Sequence, residues 1–154
     1  MKKWVLFFLF LLVAQTAFAL PNPMAAEPST MLLEKEMQIT VLTMPPGQKF
    51  YLDKIFTIDK KVAELRYKNE ASQEIHIRTA KKEEGVENIS GLYTKDWEDW
   101  NIGCLFMRLG FLGDSAAAYW SDGDRNYAVF GKNFERQEFI EMATAIYMSV
   151  HREI

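Results

Sequence analysis

The sequence predicts an α+β fold: an antiparallel β-sheet packed by a C-terminal α-helix, with a short helix ahead of the strands. Three observations predict it. Short β-rich runs bounded by polar or glycine-containing turns fill the middle of the chain. One amphipathic segment of helical period closes it. Strands come in a block rather than alternating with helices, which points to antiparallel pairing. A single helix laid on one face of such a sheet buries the apolar side of both.

The chain has 154 residues, 49% apolar and 14% aromatic, which suits one domain with one core and excludes a disordered tail or a collagen-like repeat. Residues 1–19 read as a secretory signal. Lys2 and Lys3 precede the apolar run Trp4–Ala14, and Ala17-Phe18-Ala19 supplies the small-x-small pattern before a cleavage site. As a helix the run spans about 16 Å against a hydrocarbon core of roughly 30 Å, too short for an anchor. Cleavage is therefore expected after Ala19. The expected location is extracytoplasmic, periplasmic or secreted, with no stable membrane insertion after cleavage. Residues 20–28 hold three of the five prolines and read as a flexible lead-in. Residues 29–154 form the single α+β domain.

Within it, Ser29 caps a helix over Thr30–Met37. Gln38–Thr43 alternates and reads as a strand, ended by the turn Met44-Pro45-Pro46-Gly47. Lys54–Ile58 and Val62–Lys68 read as strands joined at Asp59-Lys60-Lys61. Gln73–Thr79 follows, with Ile75 and Ile77 on one face and His76 and Arg78 on the other. Lys81–Asn88 is a charged, exposed loop. Trp100–Leu112 is one bent strand or a hairpin, broken by Gly103, Arg108 and Gly110. Ala116–Trp120 and Tyr127–Phe130 flank a hairpin loop at Ser121–Asn126. The closing helix runs from Glu135 to Val150, with Phe139, Ala143, Ile146, Tyr147 and Val150 on its apolar stripe.

Charge narrows the function. The net charge is −3. Without Lys2 and Lys3 the 18 basic residues fall to 16 against 21 acidic ones, giving −5. That balance argues against nucleic acid or anionic lipid as partner. The single cysteine excludes an intramolecular disulfide and a multi-cysteine metal site. Cys104 lies in the apolar run Ile102–Phe106 and reads as a buried, inert thiol. Ser90 lacks the Gly-x-Ser-x-Gly elbow. Asp122-Gly123-Asp124 has too few oxygen ligands for a calcium loop and reads as hairpin chemistry. No catalytic residue, metal or cofactor is expected, and the protein reads as a non-enzyme. The densest aromatic and polar patch is Tyr93–Trp100. Trp97 and Trp100, three apart, would share a face on a helical turn. Arg108 is the odd charge in an apolar stretch. Tyr93, Trp97, Trp100 and Arg108 are the candidate binding residues; the plainer alternative is that the two tryptophans close the edge of the core. His76 reads as an ordinary half-exposed strand residue.

Ala118-Tyr119-Trp120-Ser121-Asp122-Gly123, then Tyr127-Ala128-Val129-Phe130-Gly131, then a helix with Glu138-Phe139-Ile140 form a linked pattern. Upstream stand Met44-Pro45-Pro46-Gly47-Gln48-Lys49-Phe50, Leu65-Arg66-Tyr67 and Glu74-Ile75-His76-Ile77. Together these resemble a bacterial domain-of-unknown-function family over about Glu36 to Val150. Its pattern is a Leu-Pro-x-Gly-Tyr motif, paired central strands, a Trp strand, a polar-Gly turn, a Tyr strand ending in Gly and a terminal helix. Met44 and Phe50 depart from it, as does Glu135, which stands where a Ser or Thr cap is usual. The resemblance implies an extracytoplasmic domain, found at the C-terminus of membrane-bound anti-sigma or sigma-regulating proteins and as small secreted proteins, with no enzymatic activity. The expected function is a secreted or periplasmic binding module for a cell-envelope protein or peptide. The alternative is a periplasmic carrier of an apolar ligand held between sheet and helix. An unrecognised hydrolase is the third reading.

Overall fold

Alternation of apolar and polar residues decides which side of each strand faces inward, and pairing register then assembles those sides into two faces. A computed structural model describes residues 30–83 and 85–150 of the chain. The signal segment, the lead-in and the Ser29 cap lie outside the described residues. Helix α1 is Thr30–Met37. Strands follow as β1 Tyr51–Ile58, β2 Val62–Lys68, β3 Glu74–Lys81, β4 Trp97–Ile102, β5 Leu105–Leu112, β6 Ser115–Asp122 and β7 Arg125–Lys132. Helix α2, Arg136–Val150, ends the described chain. The strands form one sheet in the order β1-β2-β3-β7-β6-β5-β4, every pair antiparallel. Two meanders, β1–β3 and β4–β7, thus meet at the β3–β7 pair. The α+β architecture expected from the sequence is the one observed.

One face carries a continuous apolar row. Ile55, Leu65, Ile77, Val129, Ala118 and Leu109 are successive cross-strand partners, and all are buried. Helix α2 covers the β7–β5 half through Phe139, Ala143, Ile146 and Tyr147, while Leu33 of α1 joins the same core. The Tyr147 ring lies 5.0 Å from that of Trp120. Truncating a buried aromatic such as Phe139 to Ala typically costs about 3–5 kcal/mol.

Gln38–Thr43 is not a strand. Ile39, Val41 and Leu42 are buried as expected of a core segment, but its backbone bonds to side chains. The Val41 N–H donates to Glu34 Oε1 at 2.8 Å and the Leu42 N–H to Thr79 Oγ1 at 3.0 Å. Just beyond it the Met44 N–H donates to the Tyr67 hydroxyl at 3.2 Å. Thr79 and Tyr67 point from the helix-side face of β3 and β2, so the segment crosses the sheet instead of joining its edge. Trp100–Leu112 resolves as a hairpin, β4 and β5, turned at Gly103-Cys104. Cys104 is therefore exposed in a turn, not buried: Gly103, at φ +63°, reverses the chain inside the apolar run.

The 82–96 connection takes the chain from β3, mid-sheet, to β4 at the far edge. It lies on the face opposite α2. Arg78 Nη1 donates to the Ile89 carbonyl at 2.9 Å, and the Asn126 amide donates to that of Val86. Ser90 and Leu92 of the connection are buried. Ala128, Ala117 and Gly110, small residues on this face of β7, β6 and β5, are also buried and let the covering layer come close.

Two glycines set the depth of the two layers. A Cβ at Gly131 would stand 2.6 Å from the Phe139 ring of α2. A Cβ at Gly110 would stand 2.8 Å from the Trp97 ring and 2.9 Å from the Thr94 methyl group. Gly131→Ala and Gly110→Ala are each expected to lower unfolding free energy by about 1–3 kcal/mol through overpacking, read by urea denaturation. Gly113→Ala is the control for added side-chain volume, since nothing lies within 4 Å of its Cβ position; its own loss would reflect φ +61° alone.

Candidate functional site

The face opposite α2 has its own row across the sheet. Phe56, Glu64, Arg78, Ala128, Tyr119, Arg108 and Asp99 are successive cross-strand partners. Polar chemistry gathers at both ends of it.

At the β4 end lies the aromatic patch. Trp97 stands edge-on to Tyr119, ring centroids 4.9 Å apart. Arg108 forms an ion pair with Asp99, Nε to Oδ1 3.0 Å, and stands opposite Tyr119 across the β5–β6 pair. Tyr93 is 92% exposed at the end of the covering connection. Trp97, Arg108 and the approach through Tyr93 therefore share one face. Trp100 does not: β4 is a strand, so residues three apart alternate. Trp100 points to the α2 side and packs partly buried against the core. Beside it Glu98 pairs with Arg136 of α2 at 2.5 Å, and that guanidinium sits 4.2 Å over the Phe111 ring. The expectation of a shared Trp97–Trp100 face is corrected by this geometry. Tyr119 and Asp99 are members that the sequence did not single out.

β4 is also an edge strand. Among the described residues it pairs only with β5, and its outer backbone groups have no partner strand there. Its six-residue register with β5 is continuous. The other edge, β1, is interrupted by a bulge between Leu52 and Lys54, a common way to blunt an edge.

At the β2–β3 end lies a charged cluster around Glu64, which is fully buried. Its Oε1 accepts from Arg66 Nε at 2.5 Å and its Oε2 from Arg78 Nε at 2.6 Å. The Arg66 guanidinium lies 4.3 Å over the Phe56 ring. His76 Nδ1 is 4.0 Å from Glu64, its Nε2 is 3.6 Å from Glu74, and its ring lies 5.2 Å from that of Phe130. Burial by itself raises the Glu64 carboxyl pKa, but the Arg78 charge and the bonds from both arginines outweigh it and hold Glu64 below its ordinary value. Burial pushes the His76 imidazole down; Glu64 and Glu74 pull it up, the two arginines push it further down, and the net direction is downward. The cluster is a buried carboxylate clamped by two guanidiniums beside a neutral imidazole. Period-two charges on Val62–Lys68 and Gln73–Thr79 were its sequence signal, but only the β2–β3 register shows that Glu64 faces Arg78 and Arg66 faces His76.

The family described as Domain of unknown function (DUF4367) matches residues 38–146. The chain belongs to it. The DUF4367 match spans all seven strands and most of α2, and it bears out the resemblance to a domain-of-unknown-function family. No curated protein and no solved structure matches the chain. No helix among the described residues of this DUF4367 protein is long and apolar enough to cross a membrane.

The cluster makes stability depend on pH. The unfolded His76 takes up a proton near pH 6.5, above its folded value, so acid favours the unfolded chain from there downward. Glu64, whose folded pKa is depressed, contributes stability fully above about pH 4.3 and loses it as pH falls through the folded value. Urea unfolding should show stability declining as pH falls through about 6.5 and falling again below about pH 4.3. In His76→Gln the upper decline should flatten while the lower one stays. An unchanged upper slope in that variant would remove His76 from this role.

Proposed function

We propose that this DUF4367 chain is an exported, non-enzymatic binding module that takes up an extended segment of a cell-envelope protein or peptide along β4. The observation that carries the reading is the asymmetry of the sheet's edges: among the described residues β4 is regular and unpaired on its outer side, whereas β1 is bulged. Strand addition at such an edge draws affinity from main-chain hydrogen bonds and specificity from side chains on both faces. β4 supplies Trp97 with Tyr119 and Arg108 on one face and Trp100 on the other. Tyr93 stands exposed beside the first of these.

Export rests on the sequence of residues 1–19, and an extracytoplasmic setting like that of sigma-regulating membrane proteins rests on the resemblance described above. A non-enzymatic role is supported by the fate of the densest ionisable cluster, whose carboxylate is committed to two guanidiniums. A purely apolar cargo has less in its favour: the recess of about 340 Å³ at the end of the sheet is ringed by Glu36, Lys60, Lys61, Lys81 and Glu83.

Hydrogen exchange tests the reading. The amides of Trp97–Ile102 should gain protection when the protein meets envelope peptides displayed as extended segments, and those of Tyr51–Ile58 should not. Protection confined to β1, or to neither edge, would contradict strand addition at β4. Export predicts that protein recovered from its own host outside the cytoplasm begins at Leu20; a cytoplasmic chain still beginning at Met1 would contradict it.

A further inference from the structure

The recess of about 340 Å³ lies away from the β4 edge, where the end of α1, the β1–β2 turn and the start of the 82–96 connection meet. We propose that it is a binding site for a small amphipathic carboxylate. Its size is at the lower end of small-molecule sites, and its make-up is the usual one of apolar wall with a few convergent polar groups. The apolar part is Val62 and Ala80, cross-strand partners on β2 and β3, with Val86 and Ile89 from the connection. Val86 is 46% exposed, apolar surface that a ligand's body would cover.

The rim fixes the sign of the ligand. Lys60, Lys61 and Lys81 stand on it against Glu36 and Glu83. Lys61 is neutralised by Glu83 at 3.1 Å. Lys60 and Lys81 have no acidic partner within salt-bridge distance among the described residues. Among the described residues the rim therefore sets three lysines against two glutamates, in a chain whose net charge is −3. An anion is drawn there and a cation is not.

Backbone strain supports the same site. Asp59 and Lys60 lie at φ +51° and +55° in the β1–β2 turn, a left-handed pair that favours glycine or asparagine. A lysine held there at a conformational cost delivers its ammonium group to the rim. Such outliers cluster where a ligand is met.

Calorimetric titration of the purified protein with octanoate and with octanol tests the proposal. Octanoate should bind, and octanol about tenfold more weakly or not at all. Lys81→Gln should weaken octanoate about threefold or more without moving the thermal midpoint. Lys60→Gly should raise the thermal midpoint by relieving the turn and yet weaken octanoate binding to a similar degree. A merely structural lysine would not produce that opposition. Equal affinity for octanol, unchanged affinity in both lysine variants, or no binding of octanoate at millimolar concentration would overturn the proposal.

Discussion

The carboxylate of Glu64 is the point on which the open side of the sheet depends. It is fully buried, and a buried carboxylate is tolerable only when paired and hydrogen-bonded. Arg66 from its own strand and Arg78 from the next occupy both its oxygens. Arg78 then has a second duty, because its Nη1 holds the Ile89 carbonyl of the connection that carries the chain to the far edge. The ion pair thus ties the first meander to the layer that covers the second. Without a formed β2–β3 register, Glu64 and Arg78 do not face one another, and the covering connection loses its anchor.

The two faces use different physics. On the α2 side the row from Ile55 to Leu109 is apolar throughout, and burial of its surface is the driving term. On the other side small residues make room for a covering segment held largely by polar contacts. Gly131 and Gly110 mark the closest approach on each side. With both faces largely covered, the edges of the sheet are where, among the described residues, strand backbone lacks a partner strand. The two edges differ, β1 being bulged and β4 regular, and the proposed strand addition at β4 rests on that difference.

Much of this fold was legible in the sequence. β-rich runs and turn residues placed β1, β2, β3, β6 and β7 within a few residues of where they lie and left β4 and β5 as one bent strand or a hairpin, and the helical stripe through Phe139, Ala143 and Ile146 placed α2. What alternation cannot show is competition for backbone hydrogen bonds. Gln38–Thr43 has the pattern of a strand, yet the oxygens of Glu34 and Thr79 take two of its amides, and it crosses the sheet instead. Trp97 and Trp100 are compatible with a shared face at helical period and with opposite faces at strand period; the pairing with β5 decides for the latter. Cys104 was hidden in an apolar run whose Gly103 turns the chain. The Glu64 cluster and the Trp97–Tyr119–Arg108 patch are products of register between strands, and neither can be read along one strand.

The central claim is that Glu64 and Arg78 act as one unit that holds the covering connection. A double-mutant cycle with Glu64→Gln and Arg78→Met, read by urea unfolding together with hydrogen exchange at Ser90 and Leu92, tests it most directly. Each single change should cost about 3–5 kcal/mol: Glu64→Gln strips both guanidiniums of their carboxylate, and Arg78→Met leaves the buried Glu64 with Arg66 alone. The double change should cost clearly less than the sum, by more than about 1 kcal/mol. The Ser90 and Leu92 amides should exchange faster in every variant lacking Arg78. Additive costs within about 0.5 kcal/mol, with both amides as protected as before, would contradict the account.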